Sequence, residues 1–402
     1  MRKLAIALAV GIVSLLGCNH SSSTTPQPIG MSMAERNQRG TSPDSAPTHY
    51  RVLYRFQGGT DGKFSRAGLV RDDAGNLYGT TERGGSGNCP NGCGVVFKVN
   101  PSGNESVLHS FDNSDGKRPF ASLIIDAAGN LYGTTFWGGP SAFGVVFKLD
   151  PSGNESVLHG FGVVGNPLAG VIRDAAGNLF GTAVEGVLYE VDRSGSYSVL
   201  HTFKGTDGFF PRGNLIQDAT GDLYGTTKVG GSSSNCEPGG CGVVFKLDRH
   251  GNYTVLHSFS KTDGAFPEAG LVRDSAGNLY GTTRIGGSTN CADSSGCGVV
   301  FKLDPSGNET ILFRFKGKSG EHPVAGLVRN ADGDLFGTTE GGGSLGFGVV
   351  FKLDPSGNET VLHTFDSSDG GPLGGLVRDA AGNLYGTAQY NSGNGVVFEL
   401  TH

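Results

Sequence analysis

The chain has 402 residues, of which 70 are glycine, 17% are charged and 36% are hydrophobic, and its formal net charge is -6. This mild negative charge excludes the basic footprint of a nucleic-acid-binding protein, and the absence of a Gly-X-Y period excludes collagen. The glycines stand at fixed offsets between short apolar runs, a pattern that is typical of turns.

The N-terminus is predicted to be an export signal with a lipid anchor. Arg2 and Lys3 precede an apolar run over residues 4–16, which is too short for an ordinary membrane-spanning helix. The run ends in LLGC, which is similar to a bacterial lipobox, so residues 1–17 would be removed and Cys18 lipidated. The alternative is a plain secretory signal. Because Asn19 rather than Asp follows the cysteine, the outer membrane is favoured over the inner one.

Residues 18–49 are predicted to form a flexible tether. They are rich in Ser, Thr, Pro and Gln and show no apolar periodicity, so they cannot bury a core. The folded domain is therefore predicted over residues 50–402, outside the cytoplasm.

Four short segments, which we name A to D, then recur in a fixed order. Segment A is residues 67–72 (AGLVRD), B is 75–81 (GNLYGTT), C is 94–99 (GVVFKV) and D is 52–56 (VLYRF). Further copies begin at residues 121, 169, 213, 269, 325 and 374 (A), 129, 177, 221, 277, 333 and 382 (B), 144, 186, 242, 298, 348 and 395 (C), and 107, 157, 199, 255, 311 and 361 (D). Each segment is β-branched or aromatic and is bounded by turn residues, so each is predicted to be a strand and the chain to be all-β.

A repeat of about 42 to 56 residues with four strands is typical of a propeller blade. Seven copies predict a seven-bladed β-propeller with four-stranded antiparallel blades. The chain opens with a D segment and closes with a C segment. If each blade runs A, B, C, D outward from the axis, the last blade lacks its outer strand. The N-terminal strand, at about 50–56, is predicted to close the ring by pairing with the C-terminal strand at about 395–400.

The residue choices inside the segments predict close packing. Segment A begins with small residues, as seven inner strands crowded round an axis require. Gly79 stands in mid-segment B, where glycine weakens a strand, so a close neighbour is expected there. We expect an aromatic ring of one blade to stack into this notch, or against the Val-Phe face of segment C, in the next blade. Residues 181–186 lack a long loop, so blade three should leave a low gap in the rim.

The cysteines support export. Without Cys18, six remain as three close pairs, each in one B–C loop: Cys89 and Cys93, Cys236 and Cys241, and Cys291 and Cys297. An oxidising compartment favours three local disulfides. Zinc is the alternative, but each pair stands alone and a structural zinc takes four ligands.

The unit GNLYGTT, followed by Gly-Gly and then by GVVFKLDPSGNE, resembles the GloVer (Gloeo-Verruco) tandem repeat of bacterial exported proteins. The resemblance covers roughly residues 50–402. It implies a propeller-like exported protein with a surface anchor, and it implies no established activity and no catalytic residues.

Candidate contact residues lie where the repeats differ from one another. The positions just after segment B and just before segment A vary freely, and in a propeller both belong to the same face. The predicted binding residues are Phe136, Trp137, Arg66, Arg212, Glu268, Arg83, Arg284 and Tyr390. Trp137, beside Phe136, suggests a stacking platform for a sugar or peptide. The alternatives are neutral drift and an ordinary packed aromatic.

Three recurrent residue types are interpreted as structural. Arg71 and its copies are expected to pair with a turn carboxylate such as Asp72, although together they could form a ring for an anion. His109 and its copies lie in strands that diverge from the axis, so they are not expected to share a metal. The repeated Asp-Gly pairs are interpreted as turns rather than calcium ligands.

The function predicted is that of a lipid-anchored extracytoplasmic binding module, with an envelope glycan or protein as its ligand. The alternative is a propeller enzyme of the lactonase, hydrolase or lyase kind, with its site at the mouth of the central channel. Glu268 and Glu185 alone are a thin acidic set for a calcium site. A purely structural envelope protein is a third reading. No cofactor, metal or nucleic acid is predicted, and the protein is expected to be a monomer.

Overall fold

Seven four-stranded antiparallel sheets make up the fold. The computed structural model describes residues 49–163, 165–236, 239–287, 291, 295–389 and 393–401. The predicted signal sequence, Cys18 and nearly all of the predicted tether lie outside this part of the chain. The described residues contain no helix with the length and apolarity that a membrane crossing requires. The sequence-based prediction of a seven-bladed β-propeller is confirmed.

Each blade contains strands A, B, C and D in order from the axis. The A strands are β2 (Val70–Arg71), β6 (Ile124–Ile125), β10 (Ile172–Arg173), β14 (Ile216–Gln217), β18 (Val272–Arg273), β22 (Val328–Arg329) and β26 (Val377–Arg378). The B strands are β3 (Leu77–Thr81), β7 (Leu131–Thr135), β11 (Leu179–Ala183), β15 (Leu223–Thr227), β19 (Leu279–Thr283), β23 (Leu335–Thr339) and β27 (Leu384–Ala388). The C strands are β4 (Val95–Val99), β8 (Val145–Leu149), β12 (Val187–Val191), β16 (Val243–Leu247), β20 (Val299–Leu303), β24 (Val349–Leu353) and β28 (Val396–Thr401). The D strands are β5 (Glu105–Ser110), β9 (Glu155–Gly160), β13 (Tyr197–Thr202), β17 (Tyr253–Ser258), β21 (Glu309–Arg314), β25 (Glu359–Thr364) and, for the last blade, β1 (His49–Arg55). A short 3-10 turn covers Gly317–Ser319.

The ring closes as predicted. Strand β1 pairs antiparallel with β28, from His49 opposite Thr401 to Arg55 opposite Val396. Arg51 and Glu399 add an ion pair of 2.6 Å across this seam. The N-terminal strand therefore becomes the outer strand of the blade formed by β26, β27 and β28.

The A strands are shorter than the sequence pattern predicts. Segment A was expected to be a strand over six residues, but only its Val70-Arg71 pair is hydrogen-bonded to β3. The preceding residues contact neighbouring blades: a methyl group on Gly68 would come within 2.9 Å of Ser122 Oγ and 3.2 Å of the Gly375 carbonyl oxygen. Crowding near the axis therefore replaces ladder pairing with contacts between blades.

Threonine hydroxyls on the B strands link neighbouring blades near the axis. The Thr134 hydroxyl donates a hydrogen bond of 2.9 Å to the carbonyl of Ala169 in the next blade. The same bond recurs from Thr80, Thr226, Thr282, Thr338 and Thr387. Thr182 of blade three is the exception, because its buried hydroxyl has no partner among the described residues. In this blade only Val184, Glu185 and Gly186 join β11 to β12, so its B–C connection is short.

The hydrophobic core lies between the blades. The phenylalanine that follows each D strand packs edge-on against an aromatic ring on the C strand of the next blade, as Phe111 does against Phe147 at 5.1 Å. The seven pairs have centroid distances of 5.0 to 5.3 Å: Phe56–Phe97, Phe111–Phe147, Phe161–Tyr189, Phe203–Phe245, Phe259–Phe301, Phe315–Phe351 and Phe365–Phe398. Burial of these rings supplies much of the apolar stabilisation.

The glycine notch of segment B is filled from within its own blade. A methyl group on Gly79 would come within 2.6 Å of Cζ of Phe97, which lies on the adjacent C strand, and 2.9 Å of Leu69 Cδ2. The expected stacking of a neighbouring blade's ring into this notch is therefore wrong. The aromatic of segment B instead packs against the next blade, since Tyr78 contacts the cluster that contains Val145 and Phe147. This contact is the other one predicted from the sequence, in which the ring packs against the Val-Phe face of segment C in the next blade.

Candidate functional site

Residues from all seven blades meet in one cavity on the face that carries the B–C and D–A loops, which we call the loop-rich face. The cavity has a volume of about 480 Å³ and is called the axial cavity below. Each blade contributes the residue just before its segment A: Arg66, Phe120, Leu168, Arg212, Glu268, Val324 and Leu373. Lys228, Arg284 and Glu340, which follow B strands, complete the lining.

A proline holds most of these residues in place. In six blades the residue that lines the axial cavity directly follows proline, as in Pro119-Phe120 and Pro267-Glu268. The ring fixes the φ angle of the backbone just before the cavity. It also wedges against the previous blade, because a methyl group on Gly94 would come within 2.6 Å of Pro119 Cδ. The backbone of the lining is therefore the same in most blades, and only the side chain changes.

Glu268 is the best-anchored charge in the axial cavity. Its Oε2 lies 2.6 Å from Nη1 of Arg212 and its Oε1 lies 2.9 Å from Nζ of Lys228. Burial alone would raise the pKa of the Glu268 carboxyl, but Arg212 and Lys228 outweigh that effect and hold the pKa below its usual value. Phe210 lies under the Arg212 guanidinium at 5.5 Å, and Phe266 lies 5.6 Å from Lys228 Nζ. This side of the cavity is therefore a rigid charged cluster.

The other charges of the axial cavity are also paired. Arg284 contacts Glu340 at 3.0 Å, and Nε of Arg66 donates a hydrogen bond of 3.2 Å to Gln389 Oε1. Arg66 also lies 3.3 Å from Glu82, whose carboxylate is buried. The ten lining residues carry four cations and two carboxylates, a difference of two positive charges. Phe120, Leu168, Val324 and Leu373 give the remainder of the wall an apolar character.

A second cavity, the lateral cavity, lies on the same face between the first and second blades and has a volume of about 570 Å³. It is lined by Arg83, Asn88, Cys89, Pro90, Asn91, Gly92, Asn113, Lys117, Arg118 and Trp137. Glu82 connects the two cavities, because it lies 3.3 Å from Arg83 and 3.9 Å from Arg118 as well as contacting Arg66.

Phe136 and Trp137 do not share a cavity. The Phe136 ring packs edge-on against Phe120 of the axial cavity at 5.5 Å. Trp137 lines the lateral cavity, and its ring stands at 82° to that of Phe136. The two rings therefore do not form one flat platform.

Six of the eight predicted contact residues line the two cavities, and Phe136 lines neither. Arg66, Arg212, Glu268 and Arg284 line the axial cavity, and Arg83 and Trp137 line the lateral one. Tyr390 lies outside the described residues. The predicted set omits Lys117, Arg118, Lys228 and Glu340, which also line the cavities. Lys117 and Arg118 come directly after a recurrent Asp-Gly pair, so variation between repeats at that position was a usable signal.

The three predicted disulfides are present, with Cα–Cα distances of 5.2, 5.1 and 5.5 Å. They also anchor the next blade. The carbonyl of Cys241 accepts a hydrogen bond of 2.9 Å from the N–H of Phe266, whose φ is +58°. Cys93 accepts in the same way from Arg118, and Cys297 from His322. Each disulfide therefore stiffens a loop that positions the rim of the following blade.

The recurrent arginines extend over the glycine of their own turn to the previous blade, instead of pairing with the carboxylate of that turn. Asp72 accepts hydrogen bonds from Asn76 and Tyr78, whereas the Arg71 guanidinium lies 5.8 Å from the ring of Tyr385. Arg273 repeats this contact with Tyr224 and lies 3.6 Å from Asp218. The expected pairing of Arg71 with Asp72 is therefore wrong, because the A strand places the guanidinium across the blade boundary.

The recurrent histidines are bound into the outer edge of the ring. His109 contacts Asp115 of its own Asp-Gly turn at 2.9 Å, and His201 contacts Asp207 at 3.1 Å. His201 also stacks on Tyr253 of the next blade. Among the described residues, no group of three or more histidine, cysteine, aspartate or glutamate side chains is arranged to hold a metal ion.

The sequence matches the family model described as the Gloeobacter/Verrucomicrobia repeat over residues 33–186, 163–292 and 287–402. The chain belongs to this repeat family. The resemblance inferred from the motif GNLYGTT is thereby confirmed. No protein among those with curated functions matches this member of the family in sequence.

Several solved structures share the fold of this repeat protein. A streptogramin B lyase is 13% identical with a TM-score of 0.62, over 88% of this chain and 97% of the lyase. Virginiamycin B lyase from Staphylococcus aureus is 14% identical with a TM-score of 0.61, over 88% and 99%. The extracellular domain of a putative hybrid two-component system from B. thetaiotaomicron is 14% identical with a TM-score of 0.56, over 89% of this chain and 41% of that one. At these identities the likeness concerns the fold alone.

Proposed function

We propose that this member of the repeat family is an exported binding module whose axial cavity holds a glycan end or a peptide segment. One observation carries this function: seven equivalent positions, one in each blade, line a single cavity with side chains that differ in charge and size. The scaffold around them is constant. A fixed frame that presents variable residues suits recognition.

The chemistry of the lining favours a ligand of mixed character. The lining combines paired cations around Glu268 with the apolar side chains of Phe120, Leu168 and Leu373. A ligand with a polar or anionic end and an apolar body would contact both. The cavity volume of about 480 Å³ lies within the range of small-ligand sites.

The carboxylates of the axial cavity favour a binding module over an enzyme. Both lining carboxylates are engaged, Glu268 by Arg212 and Lys228 and Glu340 by Arg284. Because the pKa of Glu268 is held low, its carboxyl stays ionised near neutral pH and is unsuited to donate a proton. One related lyase structure is described as a catalytically inactive histidine-to-alanine variant, and the ten residues of the axial lining include no histidine. A stoichiometric, tightly held cation in purified protein would support the enzyme instead.

The site is tested by exchanging residues among equivalent positions. Leu373→Arg places in the last blade the residue that the first and fourth blades carry at Arg66 and Arg212, so the fold should tolerate it. We expect wild type to retain ligands on glycan, peptidoglycan and protein arrays, and Leu373→Arg to lose them. His250→Ala, in the C–D turn on the opposite face, is the control and should bind like wild type. Equal signals from wild type and Leu373→Arg would exclude the axial cavity.

Export and anchoring complete the proposed function. Three disulfides are typical of proteins that fold outside the cytoplasm. The lipobox at Cys18 and Asn19 supports a lipid anchor in the outer membrane. Metabolic labelling with a radioactive fatty acid should mark the wild-type protein but not Cys18→Ser, and fractionation should place it in the outer membrane. Labelling of both proteins would exclude Cys18 as the anchor.

A further inference from the structure

The lateral cavity has two structural counterparts elsewhere in the ring, and their chemistry is different. In all three places a disulfide-bonded loop of one blade faces a bridged pair of residues in the next: Lys117 and Trp137, Ala265 and Ile285, and Glu321 and Gly341. The backbone contact from the second cysteine is also common to them. The side chains of the lateral cavity are therefore not required by the fold.

The lateral cavity has an excess of positive charge. Arg83, Lys117 and Arg118 line it, and the ten lining residues include no carboxylate. Glu82 lies beneath them, but Arg66 shares this carboxylate with Arg83 and Arg118. Lys117 forms no ion pair with any residue that the structure describes. Three cations with one shared carboxylate favour an anionic ligand.

The remaining lining residues suit a hydroxylated ring. Trp137 presents a large, partly exposed aromatic surface, on which a flat apolar face can stack. Asn88, Asn91 and Asn113 add amides that both donate and accept hydrogen bonds, as sugar hydroxyls require. The volume of about 570 Å³ is that of a small-molecule pocket.

The wall of the lateral cavity is held in shape before any ligand arrives. The Cys89–Cys93 disulfide closes a short ring that contains Asn91 and Gly92 and that directly follows Asn88. Gly92 lies so close to Gly84 that a side chain at position 92 would collide with its backbone. A preorganised wall reduces the entropy lost on binding.

We propose that the lateral cavity binds an acidic saccharide, with a sugar ring against Trp137 and its carboxylate or sulfate against Lys117 and Arg118. This site is separate from the axial cavity, so it does not depend on the function proposed for that cavity.

Trp137 provides the measurement, because it is the single tryptophan of the chain. Its fluorescence and the heat of binding would be followed while purified protein is titrated with oligogalacturonates, with sulfated galactan oligosaccharides or with neutral galactan oligosaccharides of the same length. We expect a saturable response to at least one charged series and none to the neutral series. Response to one charged series alone identifies the acidic group as carboxylate or sulfate.

The substitutions come from the fifth blade, whose residues the same backbone already accommodates. Lys117→Ala copies Ala265 and should weaken binding by about tenfold or more. Trp137→Ile copies Ile285 and should abolish the binding heat. If either variant fails to fold, Arg118→Phe, which copies Phe266, would be tested in its place. Leu373→Arg changes only the axial cavity and should bind the saccharide like wild type.

Four results would overturn this assignment: no saturation with either charged series up to about 10 mM, equal responses to charged and neutral saccharides, unchanged affinity in Lys117→Ala, or loss of binding in Leu373→Arg. Loss of binding in Leu373→Arg would indicate that the saccharide binds in the axial cavity instead. If the arrays showed no ligand for the axial cavity while the titration still showed saccharide binding, only the function proposed for the axial cavity would be excluded.

Discussion

The imidazole of His201 lies flat on the ring of Tyr253 in the next blade, with centroids 3.9 Å apart and planes 4° apart. Tyr197 on His159 and Tyr50 on His363 repeat this stack. Elsewhere the first residue of the D strand is a glutamate. Burial, followed by the charge of Asp115, raises the pKa of Glu155 to about 7. Each blade boundary therefore carries either a stacked ring or a partly buried carboxyl.

Glu155→Tyr should stabilise the propeller. Glu155 occupies in β9 the register that Tyr253 occupies in β17, and His109 with Asp115 reproduces the His201 and Asp207 pair. The new ring should stack on His109 and raise the free energy of unfolding by about 0.5–1.5 kcal/mol. Urea unfolding at pH 7.5 measures this. Tyr253→Glu is the reverse control and should lose stability, whereas a Glu155→Tyr protein no more stable than wild type would show that the boundaries are not equivalent.

Glu359→Gln should change how stability depends on pH. Burial raises the pKa of Glu359 from 4.5 to about 7, so the folded state holds this proton more tightly than the unfolded chain. Stability from this group is full below about pH 4.5 and is lost as the pH rises through 7. The amide cannot ionise. The variant should therefore gain about 1 kcal/mol over wild type at pH 8, since partial exposure screens a larger effect, and nothing near pH 4.

Unfolding curves at several pH values would compare Glu359→Gln with wild type. His159 and His363, whose pKa values are lowered by burial, give an opposite trend in the whole protein, because their protonation costs stability as the pH falls below about 6.5. The difference between variant and wild type removes their contribution. A difference that stays constant from pH 4 to 8 would contradict the predicted burial of the carboxyl.

Gly225→Ala should destabilise the fourth blade. The added methyl group would come within 2.6 Å of Phe245 Cζ and 2.9 Å of Leu215 Cδ2 in a fully packed core. Overpacking of this kind costs about 1–3 kcal/mol. Gly59→Ala, where no heavy atom lies within 4 Å, is the matched control. If the two variants unfolded at the same temperature, a glycine at position 225 would not be needed to accommodate the Phe245 ring.

Replacing both Cys236 and Cys241 by serine should loosen the rim and leave the ring folded. The loop is short, so the chain-entropy model predicts a loss of about 2 kcal/mol. The amide of Phe266, which donates to the Cys241 carbonyl, should exchange its hydrogen faster. The amide of Asn166, which donates to Phe143 in a loop without a disulfide, should exchange as before. If the Phe266 amide exchanged no faster than in wild type, the disulfide would not be what stabilises the rim.

The sequence predicts the scaffold because each strand and turn is specified locally and repeated. GNLYGTT and GVVFK indicate the strand positions, and the opening D segment with the closing C segment indicates the ring closure. Cysteines four to six residues apart favour disulfides within their own loops. The same local signals overestimate the length of the strand in segment A, because crowding at the axis, and not strand propensity, decides how many of its residues pair.

Only the tertiary structure decides which side chains meet across blade boundaries. Arg83 comes from the first blade and Trp137 from the second, yet both line the lateral cavity. Arg71 lies against a ring of the previous blade instead of its own Asp72, and Phe136 and Trp137 diverge although they are adjacent in sequence. The physical reason is that a repeat encodes the backbone of one blade, whereas these contacts depend on the rotation from one blade to the next.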